Sequence, residues 1–408
     1  MHLSPALSRT RANLALLVLF LATFVLGSTE LVIVGVLDLI AGDTGVSVGT
    51  AGTLVTAYAL GLCLGGPALT VATIRLPRRT LLWACMLAFL LATLAMVVTT
   101  GFGLLLVARA AAGALHGAFV GAAFAAVGAV VPAHRMGQGI SVVLGGIAVS
   151  TAMGVPIGTL VGRTLGWRGA FVAIVVVGAV VLAGLLLLMP AVAAPADAPG
   201  LRAQARSAFA PRVLVMLAVG VLLLGGQFTV FTYITPFLLQ VTGISGAQVS
   251  GFLLAYGVAT AIGTFAGGWA ADRDAPRTLL AANVVLVLAL GLLYLAGAVP
   301  ALAAVALLVW GLVGFGLVPA LQYRVATLAG PARDLAASLP ASAVNAGIAV
   351  GALLGGWTLT GSGLSAVVVV GVLMCLACLP LTWLTGRWSA SGQLPGQPEP
   401  AISEGSKK

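Results

Sequence analysis

The sequence predicts an all-α integral membrane protein of twelve transmembrane helices in two parallel six-helix halves, and three observations carry that prediction. Of the 408 residues, 61% are hydrophobic and 7% charged, a balance that a water-soluble fold cannot hide in one core. Apolar windows of the roughly 20 residues needed to cross ~30 Å of hydrocarbon recur along the whole chain. Residues 24 to 84 also match residues 222 to 282 at one constant, gap-free offset of 198, the mark of a duplicated unit.

The spans of the first half are read at 14–36, 49–71, 81–99, 102–124, 139–162 and 168–189. The first has no small-residue cleavage site after a short apolar core, so it is expected to be retained and not removed as a signal peptide. The second half follows at 213–235, 249–271, 278–298, 300–322, 336–359 and 364–386. The domain organisation is therefore residues 1–190, a cytoplasmic linker at 191–212, a second half at 213–387 and a polar, disordered cytoplasmic tail at 388–408. An Ala/Pro composition with three Arg marks the linker.

The matches between the halves include polar loop residues in register. Thr44, Gly45 and Ser47 meet Thr242, Gly243 and Ser245; Tyr58 meets Tyr256; Arg75 meets Arg273; Arg79 and Thr80 meet Arg277 and Thr278. Two parallel halves with a substrate held between them at midplane are the physical logic of alternating-access transporters.

A formal charge of +10 raises the question of nucleic acid or an acidic partner. Position answers it. With the N-terminus inside, sixteen of the nineteen basic residues fall on the cytoplasmic side, Arg163 and Arg168 lie outside, and Arg109 lies within a span. The charge therefore records membrane orientation with both termini cytoplasmic, and no nucleic-acid partner is expected. Cys63, Cys85, Cys375 and Cys378 all fall in apolar spans, which argues against a secreted disulfide framework. Cys375 and Cys378 form a CxxC without neighbouring ligands and read as packing residues of a lipid-facing helix. No phosphate-cradling glycine loop followed by Lys, paired carboxylates or metal-ligand cluster is found, so neither ATP drive, cofactor, metal nor catalysis is expected.

Several motifs carry a family resemblance. Span 1 reads Gly27-Ser-Thr29-Glu30-Leu-Val-Ile-Val-Gly35; Arg75-Leu-Pro-Arg78-Arg79 follows span 2, with Ile74 where an Asp is usual and Asp272 keeping that acid in the second copy. Span 4 holds Arg109-Ala-Ala-Ala-Gly113 and span 5 holds Gly154-Val-Pro156-Ile-Gly158. Over essentially its whole length the chain resembles the major facilitator superfamily, and within it the bacterial drug/proton antiporters of the arabinose-efflux and chloramphenicol-exporter kind. The resemblance implies proton-driven export, with the Gly-Val-Pro segment similar to the antiporter motif though its Pro is displaced by one position.

Glu30 is the only acid well inside a span. Insertion of such a group costs about 2.5–3.5 kcal/mol, which calls for a reason, and reversible protonation is one; a structural hydrogen bond is the other. Arg109 needs a partner or water at that depth. Counted from the helix ends, both groups lie roughly 10 Å below the outer surface, so they are expected to form a pair, either a switch broken by protonation or a permanent strut. His116, two turns deeper than Arg109, is a candidate proton relay or a hydrogen-bonding packing residue. Gln227 and Asn345 are candidate substrate contacts, with hydrogen bonds across helices as the alternative; Phe231 and Tyr233 are read either as stacking on an aromatic substrate or as part of the interfacial aromatic belt, to which Tyr233 is assigned.

Four-residue glycine stripes at Gly113-Gly117-Gly121, Gly154-Gly158-Gly162 and Gly347-Gly351-Gly355 mark close helix contacts. Those of spans 5 and 11, with Pro156 loosening one of them, could also let the halves rock. Arg75, Arg78 and Arg79, with the neighbouring Asp272 and Arg273, are candidate inner-gate residues or simple topology signals. The expected function is export of a small, partly apolar molecule, such as a phenicol, a sugar or a metabolite, against protons, by a monomer in the bacterial cytoplasmic membrane. A proton-linked importer or a facilitator shares every one of these features, and a membrane enzyme or receptor is the remote alternative.

Overall fold

The computed structural model describes residues 9–73, 75–131, 135–190, 211–329 and 339–388. Ile74, most of the linker (191–210) and the tail from 389 lie outside the described residues.

Ten of the described helices are long and apolar enough to cross a membrane. Two of them run 51 and 48 residues, Gly246–Ala296 and Leu339–Gly386. At 1.5 Å per residue each spans more than ~70 Å, over twice a hydrocarbon core. Each is a pair of crossings joined at a sharp turn. In the first the turn is at Asp274, with φ −156° and ψ 86°. In the second it is Gly363 at φ 81°, a left-handed conformation that glycine adopts without a Cβ clash.

The twelve crossings are α1 (Arg9–Gly35), α2 (Val48–Ala72), α3 (Arg78–Val98), α4 (Phe102–Gly128), α5 (Gln138–Leu165), α6 (Trp167–Leu188), α7 (Pro211–Gln240), α8 (246–273), α9 (275–296), α10 (Pro300–Leu328), α11 (339–362) and α12 (364–386). With twelve crossings, the starts of α1 and α7 and the end of α12 share one face of the bundle, the terminal face; the opposite one is the distal face.

Helices are the form in which a lipid-embedded backbone satisfies its own hydrogen bonds, and two of the prolines inside spans, one in α2 and one in α5, leave a local trace. Pro67 and Pro156 lack the N–H that would bond four residues back. Immediately before each, the helix loosens into a π-helical turn, Gly61–Gly65 in α2 and Ser150–Gly154 in α5.

The glycine stripes fix which helices touch. In α4, Gly113 closes on the carbonyl of Tyr58 and Gly117 on Gly66 of α2, leaving no room for a Cβ, while Gly121 faces Thr70. Gly154, Gly158 and Gly162 of α5 close on Ser28, Val32 and Val36 beside α1; Gly347, Gly351 and Gly355 of α11 close on Val221, Gly225 and Thr229 of α7. The stripes of α5 and α11 thus bind helices within a half. They are not the surface between the halves, because the small face of each helix is already filled by its own half's first span.

The halves meet instead along α2 with α11 and α5 with α8. Gly257 of α8 lies against the Thr151 carbonyl and Ala152 of α5. Thr56 donates its hydroxyl to the Ala349 carbonyl at 3.3 Å, and nearer the distal face Gly49 packs on the carbonyl of Gly356. Tyr233 crosses this seam. It is 1% exposed, donates to the Ala352 carbonyl at 2.8 Å and approaches the Gly49 carbonyl at 3.4 Å, and fills a socket formed by Gly52, Gly355 and Gly356. It is therefore a buried peg between the halves, not a residue of the interfacial belt.

Two arginines on the distal face also have structural work. Arg163 pairs with Asp38 at 2.9 Å and donates to the Gly35 carbonyl at 3.2 Å. Arg168 pairs with Asp43, which also accepts from the Trp167 indole at 3.1 Å, and reaches the Val97 and Thr99 carbonyls. These bonds tie α5 and α6 to the short helix Leu37–Thr44 that follows α1 and to the end of α3, and account for two cations on that face. Cys375 and Cys378 are fully buried and pack on α7 at Gly226 and the Val219 carbonyl, so the CxxC faces protein and not lipid.

Candidate functional site

A polar cluster lies inside the first half, built by α1, α2 and α4. The close glycine contact of α4 on α2 brings Tyr58 between Arg109 and His116, the two polar residues that flank Gly113. Arg109 is fully buried, and its fork donates to three main-chain carbonyls: Leu54 at 3.3 Å, Thr29 at 2.8 Å and Glu30 at 3.1 Å. Its guanidinium carbon sits 4.2 Å over the Tyr58 ring, within the range of a cation–π contact.

The expected pairing of Arg109 with the Glu30 carboxylate is replaced by a division of labour. Arg109 takes the Glu30 carbonyl, while the carboxylate, on a side chain 18% exposed, faces His116 with Oε2 3.5 Å from Nδ1. A planar fork can satisfy several carbonyls at once, and three converge here from two helices. The same His116 Nδ1 is 2.8 Å from the Tyr58 hydroxyl. Glu30, Arg109 and His116 are thus brought together, and Tyr58 joins them as a member that reading for charge alone passed over. Its signal in the sequence was its exact register with Tyr256 in the repeat.

The corresponding place in the second half is aromatic. At the offset of 198, Phe228, Tyr256, Leu307 and Gly314 stand where Glu30, Tyr58, Arg109 and His116 stand. The helices pack alike, since Gly311 closes on the Tyr256 carbonyl as Gly113 does on that of Tyr58. Phe231 stacks on Tyr256 at 4.8 Å, and Trp310 meets both edge-on at 6.0 and 5.4 Å. Gln227 is buried beside them, accepting from the Trp310 indole at 3.0 Å and donating to the Gly314 carbonyl at 3.2 Å. Gln227 and Phe231 therefore belong to the packing of α7 against α8 and α10 in this conformation. Asn345 lies apart from them in α11; its amide donates to Ala341 at 2.9 Å, and its Oδ1 has no hydrogen-bond partner among the described residues.

At the terminal face, Arg75 is exposed and Arg79 donates to the Leu186 carbonyl. Neither Asp272 nor Arg273 forms an ion pair among the described residues. Arg273 lies over the Trp269 ring at 3.3 Å, and the acid that is used is Asp274, which accepts from the Arg277 main-chain N–H at 3.0 Å and pairs with its side chain at 3.3 Å. The reason is the turn: Asp274 occupies the break between α8 and α9, where free N–H groups of the new helix favour a carboxylate.

A family model described as Major Facilitator Superfamily matches residues 19–334. An uncharacterized MFS-type transporter of Bacillus subtilis (strain 168) is 35% identical over 380 residues, covering 92% of this chain and 96% of that protein. A chloramphenicol resistance protein of Streptomyces lividans is 32% identical, covering 90% and 95%, and a probable sugar efflux transporter of Mannheimia succiniciproducens is 28% identical, covering 90% and 92%. Among solved structures, a bacterial homolog of the human lysosomal transporter Spinster superposes with a TM-score of 0.81 at 16% identity, covering 94% of this chain and 99% of that one.

Proposed function

The chain belongs to the Major Facilitator Superfamily, and from that premise we propose that it exports a small, partly apolar molecule in exchange for protons by alternating access. It is a multi-pass membrane transporter and not an enzyme. The observation that carries the proton-coupled reading is Glu30: a partly exposed carboxylate inside a span, facing a histidine and a tyrosine, with the nearby cation committed to backbone carbonyls. A carboxylate so placed is free to exchange a proton with the space between the halves. A permanent ion pair would hold it charged.

Alternating access is supported by the seam. The contacts of Tyr233, Gly49 and Gly356 close the distal ends of the halves against each other, and two such bodies can exchange that closure for one at the opposite face. Gly154 and Gly158 serve this cycle by packing α5 closely on α1, and Pro156, with the π-helical turn before it, loosens α5 locally. Arg75, Arg79, Asp272 and Arg273 are proposed to take part in closure at the terminal face. The excess of basic residues there supports a cytoplasmic location for both termini, in a bacterial cytoplasmic membrane.

For the substrate, the names of the relatives point to a phenicol or a sugar, and the apolar second-half cluster favours the former. Asn345 Oδ1 is the proposed polar contact. Gln227 and Phe231 would meet substrate once the packing of α7 on α10 opens. The test is substrate-induced proton release from purified protein, screening phenicols, sugars and dyes. Release in wild type that is lost in Glu30→Gln supports the reading; binding without release would make the protein a facilitator or place coupling elsewhere.

A further inference from the structure

We propose that Tyr58 is the positioning residue that sets the protonation equilibrium of Glu30, by competing with it for the single Nδ1 hydrogen of His116. The inference rests on the reading of Glu30 as the proton-exchanging group.

The geometry gives one nitrogen two oxygen neighbours, the Tyr58 hydroxyl at 2.8 Å and Glu30 Oε2 at 3.5 Å. A ring nitrogen carries either one hydrogen or one lone pair, so it serves one of them at a time. The third contact fixes which it carries. The Tyr58 hydroxyl also reaches the Leu26 carbonyl at 3.4 Å, and a carbonyl can only accept. When both contacts are made, the hydroxyl gives its one hydrogen to Leu26 and accepts from His116, so Nδ1 bears the hydrogen.

Charge decides which oxygen wins. A bond to an ionised carboxylate is about twice as strong as one between neutral groups, so ionised Glu30 draws the Nδ1 hydrogen to itself. When Glu30 takes up a proton from water between the halves, its carboxyl is neutral, the advantage disappears, and the Nδ1 hydrogen passes to the Tyr58 oxygen. No proton leaves His116 in either state. One proton is added to Glu30 and one hydrogen bond changes partner. The observed distances, short to Tyr58 and long to Glu30, match the protonated state of this pair.

The other charged groups on elements packed against α1 do not compete. Arg109 is committed to three carbonyls. Arg163 and Arg168 are engaged by Asp38 and Asp43 at the distal face. On α8, Tyr256 is turned to Phe231 and Trp310, and Asp272 and Arg273 stand at the helix's terminal end. Two residues before Tyr58, Thr56 bonds to Ala349 across the seam, so α2 carries the switch on one side and the contact between the halves on the other.

The test follows the Glu30 carboxyl directly. Infrared difference spectra of the full-length protein in lipid nanodiscs, recorded against pH, should show a protonated-carboxyl C=O band that is absent from Glu30→Gln. Tyr58→Phe keeps the ring beneath Arg109 but removes the oxygen that receives the Nδ1 hydrogen when Glu30 is neutral. The protonated state loses a net hydrogen bond, and the pH midpoint of the band should fall by about 0.4 to 1 unit. In a His116→Asn background the same change should move the midpoint no further.

An unmoved or rising midpoint in Tyr58→Phe overturns the proposal, as does an equal fall in the His116→Asn background. A band that persists in Glu30→Gln would instead remove the coupling role of Glu30 beneath it. Nitrogen-15 spectra of histidine-labelled wild type provide a reading that needs no Tyr58 variant: a hydrogen on His116 Nδ1 is expected throughout, and a bare Nδ1 overturns the switch.

Discussion

Arg109 donates to the main-chain carbonyl of Glu30 at 3.1 Å, and in doing so it anchors the backbone of α1 while leaving the carboxylate of the same residue free to face His116. The cation therefore sets the position and the field of the site without locking its acid. Two further donors bind Thr29 and Leu54, so one side chain clamps α1, α2 and α4 together at the depth of Glu30.

Arg109→Lys should break that clamp even though the charge is kept. An ammonium is a compact point charge and cannot reproduce a fork spread over three carbonyls. The loss of at least one charged hydrogen bond corresponds to roughly 1.5–3 kcal/mol. A lower thermal denaturation midpoint in detergent, together with impaired transport, is expected. An unchanged midpoint would mean that the carbonyl contacts contribute nothing to the half.

The Tyr233 peg makes a second prediction. A side chain at Gly52 would enter the space of the Tyr233 ring and hydroxyl, so Gly52→Leu should hold the distal ends of the halves apart. Spin labels at Thr50→Cys and Ser362→Cys, both exposed and on opposite sides of the seam, report this once the partly exposed Cys63 is replaced by Ser. A longer distance population than in the parent is expected. An unaltered distribution would show that the peg does not control distal closure.

Much of this architecture was legible in the sequence, for physical reasons that can be named. Apolar length and charge placement specify crossings because the bilayer permits few alternatives. Glu30, Arg109 and His116 could be singled out because an ionisable group in a span demands compensation. Their partners could not. Arg109 chose carbonyls, which every residue has, and the residue in contact with both Arg109 and His116 is Tyr58, whose sequence signal was a match within a repeat and not a charge. Tyr233 was misread because belt and seam residues share a composition and a position near a helix end. The glycine stripes announced close packing without naming the neighbour, and the neighbour proved to lie in the same half.

The distal staple at Asp43 has a defined pH dependence. Hydrogen bonds from Arg168 and Trp167 hold its carboxyl below its ordinary value of 3.8. A depressed acid contributes stability that is complete above the unfolded value and is lost as pH falls through the folded one. The thermal midpoint of wild type should therefore decline as pH drops below about 3.8, and Asp43→Asn should reduce that decline while costing little near neutrality, because the pair is exposed. Equal slopes for both proteins would exclude the staple as a contributor.

The duplicated fold supplies its own control. Tyr256 occupies the place of Tyr58, with the same close approach of a glycine from the fourth helix of its half, but its neighbours are Phe231 and Trp310, and Leu307 and Gly314 stand in the positions of Arg109 and His116. The helix geometry is shared; the titratable partners are not. If proton exchange depends on Tyr58 because of those partners, Tyr256→Phe should leave the pH dependence of transport at its wild-type midpoint, while Tyr58→Phe shifts it. A matching shift in both variants would trace the effect to the α2–α4 and α8–α10 packing common to the halves, and would remove the argument that the two copies have divided proton exchange and apolar contact between them.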